Sequence, residues 1–127
     1  MADSLRYKDW YAMAAEDFKA AKILFEYKAN YGLVAFHCQQ AIEKGLKGFI
    51  LRHTGELTEG HSLTYLCKKA KGIDASFEEF AKDCAYVNQF YIETRYPADI
   101  VMELDESETT ECLEIAERFL QEIRKEN

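Results

Sequence analysis

The stretch Phe36-His37-Cys38-Gln39-Gln40-Ala41-Ile42-Glu43-Lys44-Gly45-Leu46-Lys47 constrains this chain more than any other. It sits inside a longer helical pattern running from about Tyr31 to His53. At helical spacing, Val34, Ala35, Cys38, Ala41, Ile42, Gly45, Leu46 and Phe49 make one broad apolar arc. The opposite arc mixes His37, Gln40, Glu43, Lys44 and Lys47 with Leu33, Phe36, Ile50 and Leu51. A helix wet on one side does not carry so many large apolar groups there. This helix is therefore expected to be buried on one face and partly covered on the other, by more chain, a partner subunit or a ligand. Gly45 and Gly48 weaken it by up to ~1 kcal/mol each relative to Ala. Their expected use is the close approach of another backbone.

The rest of the chain supplies four more helices and no convincing strand. Trp10, Met13, Ala14, Phe18, Ala21, Leu24 and Phe25 recur at steps of three and four, which predicts a helix from about Tyr7 to Lys28. Asn30 is the expected N-cap of the second helix, and Gly55 and Gly60 mark its end and a loop. Ser62 caps a short third helix carrying Leu63, Leu66, Cys67 and Ala70, ended by Gly72. Ser76-Phe77-Glu78-Glu79 reads as a capping box that starts the fourth helix. That helix carries Phe80, Cys84, Val87, Tyr91 and Arg95 on one arc, and Pro97 ends it. A fifth begins after Asp105 or Ser107, with Leu113, Ala116, Phe119, Leu120 and Ile123 as its stripe. Short connections make sequential helices antiparallel neighbours. The expectation is all-α: one domain over residues 1–127, a five-helix up-and-down bundle.

Charge narrows the function. The net charge is −7, and residues 61–127 carry 15 acidic groups against 8 basic ones. That balance argues against broad, sequence-independent nucleic-acid binding, which needs many cationic contacts to phosphate. A local basic patch drawn from Lys44, Lys47, Arg52, His53, Lys68, Lys69 and Lys71 remains compatible with it, as does the plainer reading of solvated helix faces. No apolar run approaches the ~20 residues that span a membrane. Met1-Ala2-Asp3-Ser4 shows no basic-then-apolar signal pattern, so a cytoplasmic location is expected. Cys38, Cys67, Cys84 and Cys112 form no C-x-x-C pair and lie on apolar helical faces, where reduced thiols behave as small hydrophobes. There is no Glu-x-x-His for a di-iron bundle, no Gly-rich phosphate loop and no Ser or Cys nucleophile motif. No cofactor, metal site or catalytic residue is assigned.

Several pieces together resemble a known family. They are Trp10 with Ala14, Asp17 and Ala21; the 36–47 stretch; His61-Ser-Leu-Thr-Tyr-Leu66; and Arg95-Tyr96-Pro97. The pattern resembles the HEPN domain, named for higher eukaryotes and prokaryotes and for nucleotide binding. The resemblance implies a five-helix bundle, often a homodimer, frequently paired with a small nucleotidyltransferase. It also implies that many relatives are metal-independent ribonucleases of toxin–antitoxin or defence systems, using an Arg followed four to six residues later by His. Imidazole transfers a proton near neutral pH and guanidinium stabilises charge on the scissile phosphate. Here the matching arginine is Arg95, and no His follows it. His37, His53 and His61 all lie upstream. The expected function is thus a nucleotide-binding or interaction module with nucleotide or RNA as ligand, and a ribonuclease toxin is the alternative. Gln40, Lys44, Lys47, His61, Arg95 and Tyr96 are the candidate ligand-binding residues. Lys binds phosphate by charge, Arg bidentately, and Tyr can stack on a base. The competing reading is structural: a Glu43–Lys47 surface ion pair, His61 fixing a loop, and Arg95 paired with Asp99 or Asp17.

Overall fold

The computed structural model describes residues 3–90 and 104–125. Among these residues there are five α-helices, one 3-10 helix and no strand: α1 (Tyr7–Glu26), α2 (Tyr31–Thr54), α3 (Leu63–Ile73), the 3-10 helix (Ala75–Phe80), α4 (Ala81–Asn88) and α5 (Glu106–Arg124). The all-α bundle expected from periodicity is the fold observed.

Side-chain pairs set the helix directions. Tyr7 lies under Arg52, Trp10 under Lys47 and Phe25 against Tyr31, so α1 and α2 form an antiparallel hairpin. The side chain of Asn30 accepts from Gly32 N at 2.7 Å and starts α2. Gly55, at φ 76°, ends it in the left-handed conformation that glycine adopts without strain. A Cβ on Gly45 would meet Phe119 of α5, and Cys38 lies near Cys112, seven residues earlier on both helices. Hence α5 runs parallel to α2. The α2–α3 connection differs from a tight hairpin turn. Residues 55–62 run back along α2, bringing His61 beside Glu43.

Helix α2 is the centre of the domain, in contact with α1, α3, α4 and α5. Fifteen of its 24 residues are buried. Its second face is covered by the chain itself: Ile50 and Leu51 are buried, whereas Leu33 stays 45% exposed. The α2 glycines admit rings rather than a neighbouring backbone. A Cβ at Gly45 would sit 2.6 Å from the Phe119 ring, and one at Gly48 would sit 2.7 Å from Tyr11.

Two local expectations are corrected. Met13, expected in the α1 core stripe, is 51% exposed. The middle of that stripe (Ala14, Phe18, Ala21) is buried, and Met13 lies at its edge. Ser76 does not open a capping box. The Asp74 side chain accepts from Ser76 N at 3.0 Å and starts a 3-10 turn two residues earlier. Three residues per turn bring Phe77 and Phe80 to the same side. Both rings pack on Phe119, with centroids 6.3 and 5.5 Å away. The α5 start is a true capping box, with Asp105 accepting from Glu108 N at 2.7 Å and Glu108 accepting from Asp105 N at 3.1 Å. Ser62 caps α3 as expected, accepting from Tyr65 N.

Candidate functional site

The polar residues of α2 form two adjoining clusters, each centred on a carboxylate. Gln39, Glu43 and Lys47 follow one another at i, i+4 spacing and so share a line along the helix. Glu43 is 3% exposed. Its carboxylate accepts from Gln39 Nε2, Lys47 Nζ and His61 Nδ1, each at 3.1 Å. Gln40 Nε2 donates to Gln39 Oε1 at 2.8 Å and approaches Glu43 at 3.4 Å. Gln39 Nε2 also donates to the His61 carbonyl at 3.1 Å. A carboxylate only accepts, so the His61 proton facing Glu43 is on Nδ1. In the second cluster, Asp17 of α1 accepts from Lys44 Nζ at 2.6 Å and pairs with His37 Nδ1 at 3.0 Å.

Both clusters open on one cleft of about 370 Å³ between α1, α2 and the segment before α3. Lys44, Lys47, His61 and Glu43 line it from one side, Trp10 and Met13 from the other. Lys47 Nζ lies 5.8 Å from the Trp10 ring centroid. The indole N–H donates to the Ser4 carbonyl at 2.9 Å, which fixes the ring. Asp3 and Asp9 also reach the cleft, so its cations are balanced by acids. This is a mixed polar, aromatic-walled recess rather than a bare cationic hole.

Of the six residues singled out in the sequence, Lys44, Lys47 and His61 line this cleft. Gln40 stands beside them, hydrogen-bonded to the Glu43 cluster. Arg95 and Tyr96 lie outside the described residues, as do Tyr91, Pro97 and Asp99. The Glu43–Lys47 pair is not the surface pair that i, i+4 spacing suggested, because its side chains are 4% and 9% exposed. Trp10 and His61 lie against it and exclude solvent. Lys69 and Lys71, proposed for a basic patch, are engaged on α3, with Thr58 and Glu78 respectively.

Sequence reasoning passed over Gln39, the fully buried amide that joins Glu43 to the His61 backbone. Its signal was the unbroken Gln39–Glu43–Lys47 line. It also missed Asp17 as the partner of Lys44, a contact between helices that no local spacing reveals. Among the described residues, no group of three or more His, Cys, Asp or Glu side chains is placed to hold a metal ion. No described helix is long and apolar enough to cross a membrane.

The bundle has known counterparts. TT1696 from Thermus thermophilus superposes with a TM-score of 0.82 at 25% identity, over 98% of this chain and 100% of that one. ST0689, described as an archaeal HEPN homologue, superposes with a TM-score of 0.75 at 24% identity, over 95% of this chain and 97% of that one. No curated protein sequence matches significantly. The sequence pattern of the HEPN domain matches residues 7–126, almost the whole chain. With helices in that order around the 36–47 stretch, the chain belongs to the HEPN domain family.

Proposed function

We propose that this HEPN protein is a non-catalytic module that binds a nucleotide in the Trp10–Lys44–Lys47–His61 cleft. The observation that carries the reading is the convergence of two ammonium groups, one imidazole and an indole on a single recess. Each ammonium has three N–H donors, so a Lys already held by a carboxylate keeps donors for phosphate oxygens. Asp17 and Glu43 fix where those donors point. An aromatic wall of the Trp10 kind favours a base by stacking, worth ~1–3 kcal/mol. The sequence lacks the His that the family places four to six residues after its arginine, which takes away the usual proton-transfer group and favours binding over cleavage.

The natural protein partner in this reading is a small nucleotidyltransferase, as the family resemblance implies, and the working form is a homodimer in the cytoplasm. Exposed Met13, Ile23, Tyr27 and Leu33 on the α1–α2 hairpin give a second copy apolar surface to cover. The ribonuclease alternative draws on one observation. Glu43 orients an imidazole that is 58% exposed, the pairing a general base uses.

Trp10 is the only tryptophan, so its fluorescence reports on the cleft directly. Titration with ATP, GTP and a short RNA should quench or shift it, and Lys44→Ala and Lys47→Ala should weaken binding about tenfold, the equivalent of ~1.4 kcal/mol. Absence of any spectral or calorimetric response to all three would remove the nucleotide reading. RNA cleavage that is lost in His61→Ala would replace it with the ribonuclease one. Sedimentation of the purified protein, alone and with a candidate nucleotidyltransferase, tests the assembly.

A further inference from the structure

Ser4 joins two walls of the cleft into one unit. Its carbonyl accepts from the Trp10 indole N–H at 2.9 Å. Its hydroxyl donates to Asp9 Oδ2 at 2.6 Å and accepts from the Arg6 backbone N–H at 3.0 Å. One residue thus sets both the plane of the indole and the position of the carboxylate beside it. Asp9 Oδ1 has no hydrogen-bond partner among the described residues. Asp3, Asp9 and Trp10 all line the cleft.

The cleft has an acidic end and a basic end. Trp10, next to Asp9, lies against Lys47. Lys44 is bonded to Asp17, eight residues further along α1 than Asp9, a rise of about 12 Å. Asp3, adjacent to Ser4, adds a second acid at the Asp9 end. Phosphates are repelled from that end and drawn towards Lys44. The Watson–Crick edge of a base points away from its sugar. A base stacked on Trp10 with its phosphates towards Lys44 therefore turns that edge to Asp9.

We propose that the cleft selects guanine nucleotides and that Asp9 reads the base, an inference that rests on the nucleotide-binding reading of the same recess. A carboxylate only accepts hydrogen bonds, and its two oxygens offer about four lone-pair sites, so Oδ2 can serve Ser4 and a ligand together. Guanine presents two adjacent donors on its Watson–Crick edge, N1–H and the 2-amino group, one for each oxygen. Adenine presents one amino group beside the N1 lone pair, which would face a carboxylate oxygen. Cytosine has the same mismatch at N3, and uracil offers a single N–H between two carbonyls. A site built to pair with particular N–H groups rejects analogues that lack them. Asp9 is exposed, so water competes and the discrimination is modest, about tenfold.

The test titrates the whole chain with GTP, ITP and ATP, read by Trp10 fluorescence and by calorimetry. GTP should bind about tenfold more tightly than ATP. ITP keeps N1–H and lacks the 2-amino group, and should fall between them. Asp9→Asn exchanges one acceptor for a donor, the pattern that suits adenine, so the preference should vanish or reverse. The three-nucleotide series on the wild type needs no variant, so a folding defect in Asp9→Asn leaves the test intact. Equal affinities for GTP and ATP would overturn guanine selection while leaving nucleotide binding in place. A GTP preference that survives in folded Asp9→Asn would overturn the role of Asp9. No response to any of the three would remove nucleotide binding itself, and base selection with it.

Discussion

The Nδ1 atom of His61 lies 3.1 Å from Glu43 Oε1, and the His61 carbonyl accepts from Gln39 at the same distance. The residue that precedes Ser62, the α3 cap, is thus fastened twice to the middle of α2. Glu43 is the hub of this fastening, and it is buried with Lys47. Removing one partner of a buried ion pair leaves the other charge uncompensated, at a cost of about 3–5 kcal/mol. Glu43→Ala is therefore expected to lower the unfolding free energy by that order, seen as a lower urea midpoint. Glu43→Gln keeps the volume and should still lose much of it, because the Lys47 ammonium remains. A midpoint unchanged in both would show that Lys47 finds water or another acceptor.

The glycines of the bundle predict effects of opposite sign. Replacing an exposed helical Gly by Ala gains up to ~1 kcal/mol. At Gly45 the new methyl would lie 2.6 Å from Phe119 Cε1, and that ring is fully buried against Phe77 and Phe80. Overpacking of this kind costs about 1–3 kcal/mol. Gly45→Ala should destabilise, and Gly48→Ala likewise, with Tyr11 at 2.7 Å and Trp10 Cβ at 3.0 Å. A Cβ at Gly72 meets nothing within 4 Å, so Gly72→Ala should be neutral or stabilising. Three urea titrations check the order.

Alkaline pH should destabilise the domain through Cys112. Burial, then Glu111 and Glu108, raises its thiol from 9.0 to about 12. The folded state keeps the proton that the unfolded chain gives up first. Stability from this group is complete below the ordinary thiol pKa and falls as pH rises from there towards 12. Cys112→Ala should flatten the loss of melting temperature between pH 8 and 10, roughly the range in which unfolded thiols ionise.

Asp74 acts in the opposite direction. The hydrogen bonds from the backbone and side chain of Ser76 hold its carboxyl below the usual carboxylate range. Its contribution is present at neutral pH and disappears as pH falls through that depressed value. Asp74→Ala should lower the melting temperature at pH 7 and make no further difference in strong acid. Circular dichroism melts of both proteins across acid pH would reveal a parallel pair of curves if the cap is idle.

The helices are legible in the sequence wherever an apolar stripe and a cap agree. Asn30 with Gly55 brackets α2, and Ser62 opens α3, because each supplies a local hydrogen bond or backbone conformation that stops or starts a helix. The region at Asp74–Phe80 misleads because two capping acceptors compete there. Asp74 wins by reaching Ser76 N, and the core favours the tighter turn by taking both phenylalanines. The site is legible on α2 and illegible beyond it. Lys44, Lys47 and His61 stand out by chemistry, yet the burial of Glu43 depends on Trp10 and on the return of residues 55–62. Neither the return path nor the Asp17–Lys44 contact leaves a mark in local spacing. Arg95 and Tyr96 rest on resemblance alone and lie outside the described residues.

The middle of helix α2, a helix with fifteen buried residues and contacts to four others, lies buried away from both of its exposed ends. Amide protons there exchange with solvent only when the whole domain opens. The Glu43 cluster is built on that helix, so its geometry shares the domain's global opening free energy. A substitution elsewhere in the core will therefore change how many molecules carry an intact cleft, rather than how well shaped the cleft is in each.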